Sequence, residues 1–583
     1  MGTDPPAPAV GAPAPPALGA PASPSPGSAA PLTASAAVLG PVGGPGRLVV
    51  LLRRPRRAAP SAQAAAALRS AVEGTVARAR GRLAGREVAP IGLLTVTPGP
   101  HGAARLTRAL QANHAVVSVT PERRFSPRSV PDDPALTLPD PVAPSVVPAE
   151  WWAARENLPA AWAITRGDGA LVAVIDTGVD VSHPEFSGKV VADLEHDSTP
   201  GDGPAGTDPV GHGTHVASLA CAATGNRQGI AGAGADCGLL VEKSDLTDDS
   251  VSASLVEATD RGAQAVVMSF GSEGQTAASP AVARALAYAA AHQVVLVAAA
   301  DDRPVSEQGP PADALQPTGT GPTLGSGIGL SVTAADAADA RAPFAGFGTQ
   351  ISMAAYGAYL PGMANEPLGL LGAFPSAPTS LEQPTINPLA PGCGCRVTFT
   401  GDSRYAELQG TSMAAPQVGA VAALMRRLNP DLGASDVIRV LEATARRSAG
   451  AGWTSDLGWG ILDAGAALDA ARRIDRRAPI SRPYARARTR ARSVLLQVVA
   501  SDPAPAGLIA SGVASVELFG APAGRPVRRL ARLAPGARFR LRGRAGQLWR
   551  LRTVAVDRAG NREHPPSAVE ARVRFLGQRR GRR

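Results

Sequence analysis

The 583-residue chain carries 58 Lys and Arg against 48 Asp and Glu, a formal net charge of +10, with 44% hydrophobic residues but only 4% aromatics. Such a length exceeds one hydrophobic core and suggests about three or four domains, and the Ala-rich apolar content predicts tight packing of small side chains. No run of about 18 apolar residues occurs, which excludes a membrane-spanning helix, and the start Met-Gly-Thr-Asp-Pro-Pro lacks the basic and compact apolar regions of a secretory signal.

Residues 1–46 are Ala/Pro/Gly low complexity, expected to be a disordered leader. From Arg47 the pattern predicts a strand over 47–53, a helix over 62–82, a strand over 91–97, a helix over 102–113 and a strand over 114–120. Strand-helix-strand-helix-strand in this span fits a small ferredoxin-like α+β domain over 47–127. The Pro-rich stretch 128–150 reads as an exposed linker.

From Trp151 to Arg472 apolar strands alternate with Ala-rich helices, as in an α/β domain whose parallel sheet is covered on both faces. Sites in such sheets lie beyond the carboxyl ends of the strands. Val172-Ala-Val-Ile-Asp176-Thr-Gly is a strand ending in a carboxylate at a Gly turn, and Gly211-His212-Gly-Thr-His-Val-Ala217 places a His at the mouth of a small-residue helix. Gly410-Thr-Ser412-Met-Ala-Ala-Pro416 sets a Ser at the start of another. There it sits near the positive end of the helix dipole, where its backbone N–H can face a developing oxyanion. Ser is also an ordinary helix cap, and Ala414 breaks the Gly-x-Ser-x-Gly elbow. A hydroxyl needs a base to become a nucleophile; the imidazole of His212 suits that role, and Asp176 would fix its tautomer. His212 and His215 as a metal pair lack carboxylates at a helpful spacing, so His215 reads as a packed helix residue.

With the three motifs in the order Asp, His, Ser, the chain resembles the subtilisin-like serine peptidases, or subtilases, over 151–472. The resemblance implies an endopeptidase acting through an acyl-enzyme, with Asp176, His212 and Ser412 catalytic, protein or peptide substrates, and no cofactor for the chemistry. It also implies a zymogen, in which 47–127 is an inhibitory propeptide acting on its own chain; Val117-Ser-Val-Thr-Pro-Glu122 resembles the last strand of that module. Its location would be extracellular or at the cell surface. Ser269, Phe270 and Gly271 resemble the family strand that pairs with an extended peptide, and Ala299 and Ala300 the opposite pocket wall.

Where most subtilases have Gly-Asn after this wall, with the Asn amide serving the oxyanion, this chain has Asp301-Asp302. An ionised carboxylate only accepts hydrogen bonds. Asp302 is therefore expected to act when protonated, its pKa raised by burial and by Asp301. The alternative is a catalytically impaired surface-binding protein on the same fold. Two acids beside the pocket also suggest a preference for a basic residue before the cut bond. Asn226-Arg-Gln-Gly-Ile-Ala-Gly232 resembles a family calcium loop, with Glu185, Asn226, Gln228 and Ile230 as candidate ligands of a structural calcium; a plain Gly turn is the other reading.

Cys221 and Cys237 suit a disulfide in an exported protein, whereas Cys393-Gly-Cys395 is too tight for an easy bridge and reads as a free pair, a strained loop or half of a metal clip. It lies in an insertion over 357–404 that reads as irregular. Beyond a basic linker at 473–492, alternation and turn signals over 493–577 predict a β-sandwich that resembles immunoglobulin-like or fibronectin-like modules, followed by a basic tail at 578–583. Residues 471–583 hold 27 Arg, no Lys and 6 acidic residues, a balance of +21 that leaves −11 for everything before them. Such an excess suits an anionic cell-surface polymer or nucleic acid, with a solvated face as the plain alternative.

Overall fold

The computed structural model describes residues 48–52, 62–83, 92–98, 103–121, 131–196, 203–271, 277–316, 327–359, 367, 369–383, 392–447, 452–485, 487–566 and 569–577. The expected leader and basic tail lie outside them. The chain divides into two units, 1–127 and 128–583.

In the first unit the sheet runs Arg82–Leu83, Leu93–Thr97, Leu48–Leu52, Val116–Pro121, with every pair antiparallel. Leu48, Val50 and Leu52 alternate inward and meet Val72 and Val76 of the helix Ala62–Arg78 and Leu106 and Leu110 of the helix Ala103–Gln111. This is the βαββαβ order of a ferredoxin-like unit. Its short strand Arg82–Leu83 escapes sequence reading because two residues carry no period.

The second unit is built on a seven-stranded parallel sheet in the order Met353–Tyr356, Gly329–Ala335, Val295–Ala299, Ala265–Met268, Leu171–Asp176, Gly238–Lys243, Val190–Glu195. Its central strands are apolar at successive positions because both faces are covered. Val172, Val174, Val267 and Val297 face the helices His212–Cys221 and Thr411–Leu428. Ala173, Ile175, Val266 and Leu296 face Asp248–Asp260 and Pro280–Ala291. A side chain at Gly419 would come within 2.4 Å of Val267, so the long helix lies close on the sheet only because that position is bare.

Three expectations are corrected. Residues 131–150 are not an exposed linker: Ala135, Ala143, Val146 and Ala149 are buried in this unit, and the Asp133 carboxylate accepts from Gly225 N at 2.7 Å. Small apolar residues set between prolines can pack without a regular backbone ladder. The 357–404 insertion is not irregular throughout, since Leu370–Ala373, Asp402–Leu408 and Arg396–Phe399 form a three-stranded antiparallel sheet. Within 473–492 lie the strands Ile480–Tyr484 and Arg488–Thr489, which belong to the strand-rich C-terminal region rather than to a linker; arginines on the outward positions hid the alternation.

That region is two sheets, Ile480–Tyr484, Ser493–Ser501, Arg538–Arg542 and Arg488–Thr489, Ala571–Phe575, Leu548–Asp557, Val513–Pro522, Arg528–Leu533. Leu496, Leu541, Leu518, Leu551 and Phe575 form the core they share.

Candidate active site

Asp176 is the last residue of the strand Leu171–Asp176 and is 1% exposed. Its Oδ1 accepts from Thr177 N and lies 2.8 Å from His212 Nδ1. His212 opens the helix His212–Cys221 after Gly211, whose φ of 96° suits glycine. The approach of helix to strand depends on Gly213, where a Cβ would lie 2.2 Å from the Gly178 carbonyl.

Asp208, which the sequence reading missed, holds this helix start. Its Oδ1 accepts from Gly211 N at 2.8 Å and Thr177 Oγ1 at 2.9 Å, and its Oδ2 from Thr214 N at 2.8 Å. Thr177 Oγ1 in turn lies 3.0 Å from Gly213 N. An Asp four residues ahead of His212 is a helix-start signal that could have been read. From behind, the insertion sheet braces the same helix: His215 Nε2 lies 3.0 Å from the Leu370 carbonyl, and Ala373 N donates to Ser218 Oγ at 2.9 Å. His215 is fully buried, and burial pushes its pKa down to about 4, so it is the packed neutral residue expected. For His212 burial acts in the same direction, but the Asp176 carboxylate outweighs it, with Asp208 and Asp302 adding, and the imidazole titrates above its ordinary value.

Ser412 is the second residue of the helix Thr411–Leu428. Its Oγ donates to the Ser269 carbonyl at 2.9 Å rather than to His212, and Ser269 Oγ donates back to the Ser412 carbonyl at 2.9 Å. Beside it lies a cavity of about 210 Å³ lined by Phe270, Gly271, Ala299, Ala300 and Asp302. The structure thus brings the five expected substrate residues to Ser412, four as lining and Ser269 as its partner.

Asp302 Oδ1 accepts from Thr411 N at 2.8 Å, immediately before Ser412 in the chain. Burial pushes its carboxyl above the ordinary range; the Thr411 bonds and His212 pull it back in part, and Asp301 adds a smaller rise. Asp301 differs. Burial alone would raise it, yet Arg303 clamps it through Nε at 3.0 Å and Nη2 at 2.7 Å and holds it below the usual range. The expected pair of acids is therefore one buried carboxyl and one neutralised ion pair, which removes the basis for expecting a basic residue before the cut bond.

The loop 226–230 does not fit a calcium ion. Glu185 is fully buried, and its oxygens accept from Ile230 N at 2.9 Å, Tyr405 Oη at 2.9 Å and Asn226 Nδ2 at 3.3 Å. Asn226 Oδ1 accepts from Gln228 N at 2.7 Å. Hydrogen-bond donors thus converge where cation ligands would, and burial pushes Glu185 up to about 7, towards the neutral form that no cation favours. Cys221 and Cys237 are bridged, as expected. Cys393 and Cys395 are bridged as well, contrary to expectation, so neither is a free thiol nor a metal ligand.

The subtilase family model of peptidase S8 type matches residues 167–460, which take in Asp176, His212 and Ser412. The chain belongs to the subtilase family. Thermitase of Thermoactinomyces vulgaris is 29% identical over 304 residues, 50% of this chain and 87% of that protein. An extracellular protease of Xanthomonas campestris is 28% identical over 411 residues, 63% of this chain and 61% of that protein. Mycosin-4 of Mycobacterium tuberculosis is 31% identical over 390 residues, 61% of this chain and 79% of that protein. This subtilase is a subtilisin-like serine endopeptidase, a hydrolase whose family chemistry needs no cofactor.

Proposed function

We propose that this subtilase cleaves peptide bonds through an acyl-enzyme in which Ser412 is the nucleophile, His212 the general base and Asp176 its orienting partner. The observation that carries the reading is the 2.8 Å contact between His212 Nδ1 and Asp176 Oδ1, which leaves Nε2 as the basic nitrogen at the edge of the Ser412 cavity. When a peptide lies along Ser269, Phe270 and Gly271, Ser412 Oγ turns from the Ser269 carbonyl to His212; catalytic hydrogen bonds commonly tighten only in the substrate complex. The oxygen attacks the peptide carbonyl, His212 takes its proton and passes it to the leaving amine, and water then releases the acyl group by the same relay in reverse.

The oxyanion forms between Ser412 N and Asp302. Since Oδ1 of Asp302 is taken by Thr411, the group that serves the oxyanion is a protonated Oδ2, and removing such a donor typically costs about 100-fold to 1000-fold in turnover. Residues 47–127 act as the inhibitory propeptide of a zymogen exported from the cell; the ferredoxin-like order of that unit supports this, as does the relative named an extracellular protease. The C-terminal strand-rich region is the appended surface module.

An organophosphonate probe and casein, applied to the full chain and to Ser412→Ala, test the reading. Labelling and casein hydrolysis that vanish in the variant are expected; labelling that persists in Ser412→Ala overturns it.

A further inference from the structure

We propose that the outward face of the sheet formed by Ile480–Tyr484, Ser493–Ser501 and Arg538–Arg542 binds an extended phosphodiester chain by its backbone. The inference concerns the C-terminal region alone and does not rest on the peptidase reading.

Register puts Arg482 opposite Val499, Tyr484 opposite Gln497, Gln497 opposite Arg538, Leu495 opposite Arg540 and Ser493 opposite Arg542. Directly paired residues share a face. Ser481, Pro483, Val494, Leu496, Val498 and Leu541 point into the core, so the face opposite is open to solvent. None of the three strands contains an acidic residue. Among the described residues Arg538, Arg540 and Arg542 make no ion pair, whereas on the other sheet Arg529 and Arg562 both close on Glu517, at 2.8 and 2.5 Å. Choice of Arg over Lys says nothing here, because the whole chain has only Lys189 and Lys243; placement does.

Alternate residues on one strand recur about every 6.8 Å, twice the rise per residue. Arg538, Arg540 and Arg542 therefore form a ladder of guanidinium forks at an interval suited to a chain with one charge per repeat. At its upper end Arg492, Arg540, Arg542 and Arg544 line an open cavity of about 600 Å³ that also takes in Ser493 and Gln547. The backbone beneath it is fixed: Gly543 N donates to the Arg492 carbonyl at 3.0 Å and Arg544 N to Gln547 Oε1 at 2.9 Å. Four convergent cations without a counter-carboxylate repel one another, and a phosphate accepts such forks two bonds at a time. Leu495 and Tyr484, 47% and 58% exposed beside the ladder, offer an apolar strip to the carbon skeleton between charges. A ladder leading into a concavity suits a thread, not the flat plane of a bilayer.

The test uses the full-length chain and a fluorescein-labelled 20-residue single-stranded oligodeoxynucleotide, an abasic chain of the same length, polyglutamate and anionic phosphatidylglycerol vesicles. With about five phosphate contacts, at about 0.7 per contact, log affinity should fall against log salt with a slope near −3.5. Arg540→Ser/Arg542→Ser/Arg544→Ser should weaken binding at least about tenfold and flatten the slope by about 2. A control that removes the same charge from the other sheet, Arg528→Ser/Arg572→Ser/Arg574→Ser, should change it less than about twofold, with circular dichroism showing both variants folded. Equal binding of the abasic chain supports backbone recognition. Loss of binding without bases, equal loss in both variants, or binding confined to polyglutamate or to vesicles overturns the proposal.

Discussion

Ser269 and Ser412 bind each other twice, each hydroxyl donating to the other's backbone carbonyl at 2.9 Å. A strand end of the sheet is thereby tied to the first turn of the helix that carries the proposed nucleophile, and one of the two bonds must open when Ser412 turns to His212.

Ser269→Ala removes the bond to the Ser412 carbonyl and leaves the one that must open. A single neutral hydrogen bond is worth about 1 kcal/mol, so kcat should fall about fivefold with KM nearly unchanged. Steady-state kinetics on a short peptide substrate checks this; a loss as deep as that of Ser412→Ala would contradict it.

Asp302 makes the pH profile diagnostic. Activity needs Asp302 protonated and His212 neutral, and both titrate above their ordinary values. As pH rises Asp302 loses its proton and kcat/KM falls; as pH falls His212 gains one and kcat/KM falls again. In Asp302→Asn the amide donates at every pH, so the alkaline decline should disappear, the acidic one remain, and neutral-pH activity rise. An alkaline limb that persists in the variant would exclude Asp302 as the oxyanion donor.

Tyr405 stands where a cation would have to compete. In Tyr405→Phe the buried Glu185 loses one donor, which should cost about 1 to 3 kcal/mol of stability, read as a lower Tm. Added calcium should not restore it. Recovery of the parent Tm with calcium would show that the loop is an ion site after all.

Glu442 is 5% exposed, and burial pushes it up to about 8 from an ordinary 4.5. The folded state holds that proton where the unfolded chain releases it, so this contribution is intact below about pH 4.5 and is lost as pH rises towards about 8. Glu442→Gln should remove that slope and raise stability above about pH 8 by up to ~4 kcal/mol. Denaturant melts at acid and alkaline pH measure it; identical slopes in the two proteins would refute the assignment.

Much of the fold was legible because its signals are local. Val172 to Ile175 form an uninterrupted apolar run, which only a strand covered on both faces requires, and Asp176, His212 and Ser412 each stand at a strand or helix end where a carboxylate, a base or a nucleophile can face outward. Sequence reading failed where composition masked the period. Prolines concealed the packing of 131–150, and arginines concealed the strand Ile480–Tyr484. The calcium expectation failed for another reason: Tyr405 lies 220 residues from Glu185, so nothing near the loop announces the hydroxyl that takes the cation's place.

By itself the sequence determined the alternating α/β plan, the family motifs and the Asp at position 302, since each is a matter of residue type and short-range order. Only the tertiary structure decided that Asp301 is spent on Arg303 while Asp302 stays buried beside Ser412, that Asp208 holds the helix of His212, and that the C-terminal arginines are gathered on one open face. Charge, burial and hydrogen-bond partners depend on which distant segments meet, and that is fixed by packing rather than by neighbours along the chain.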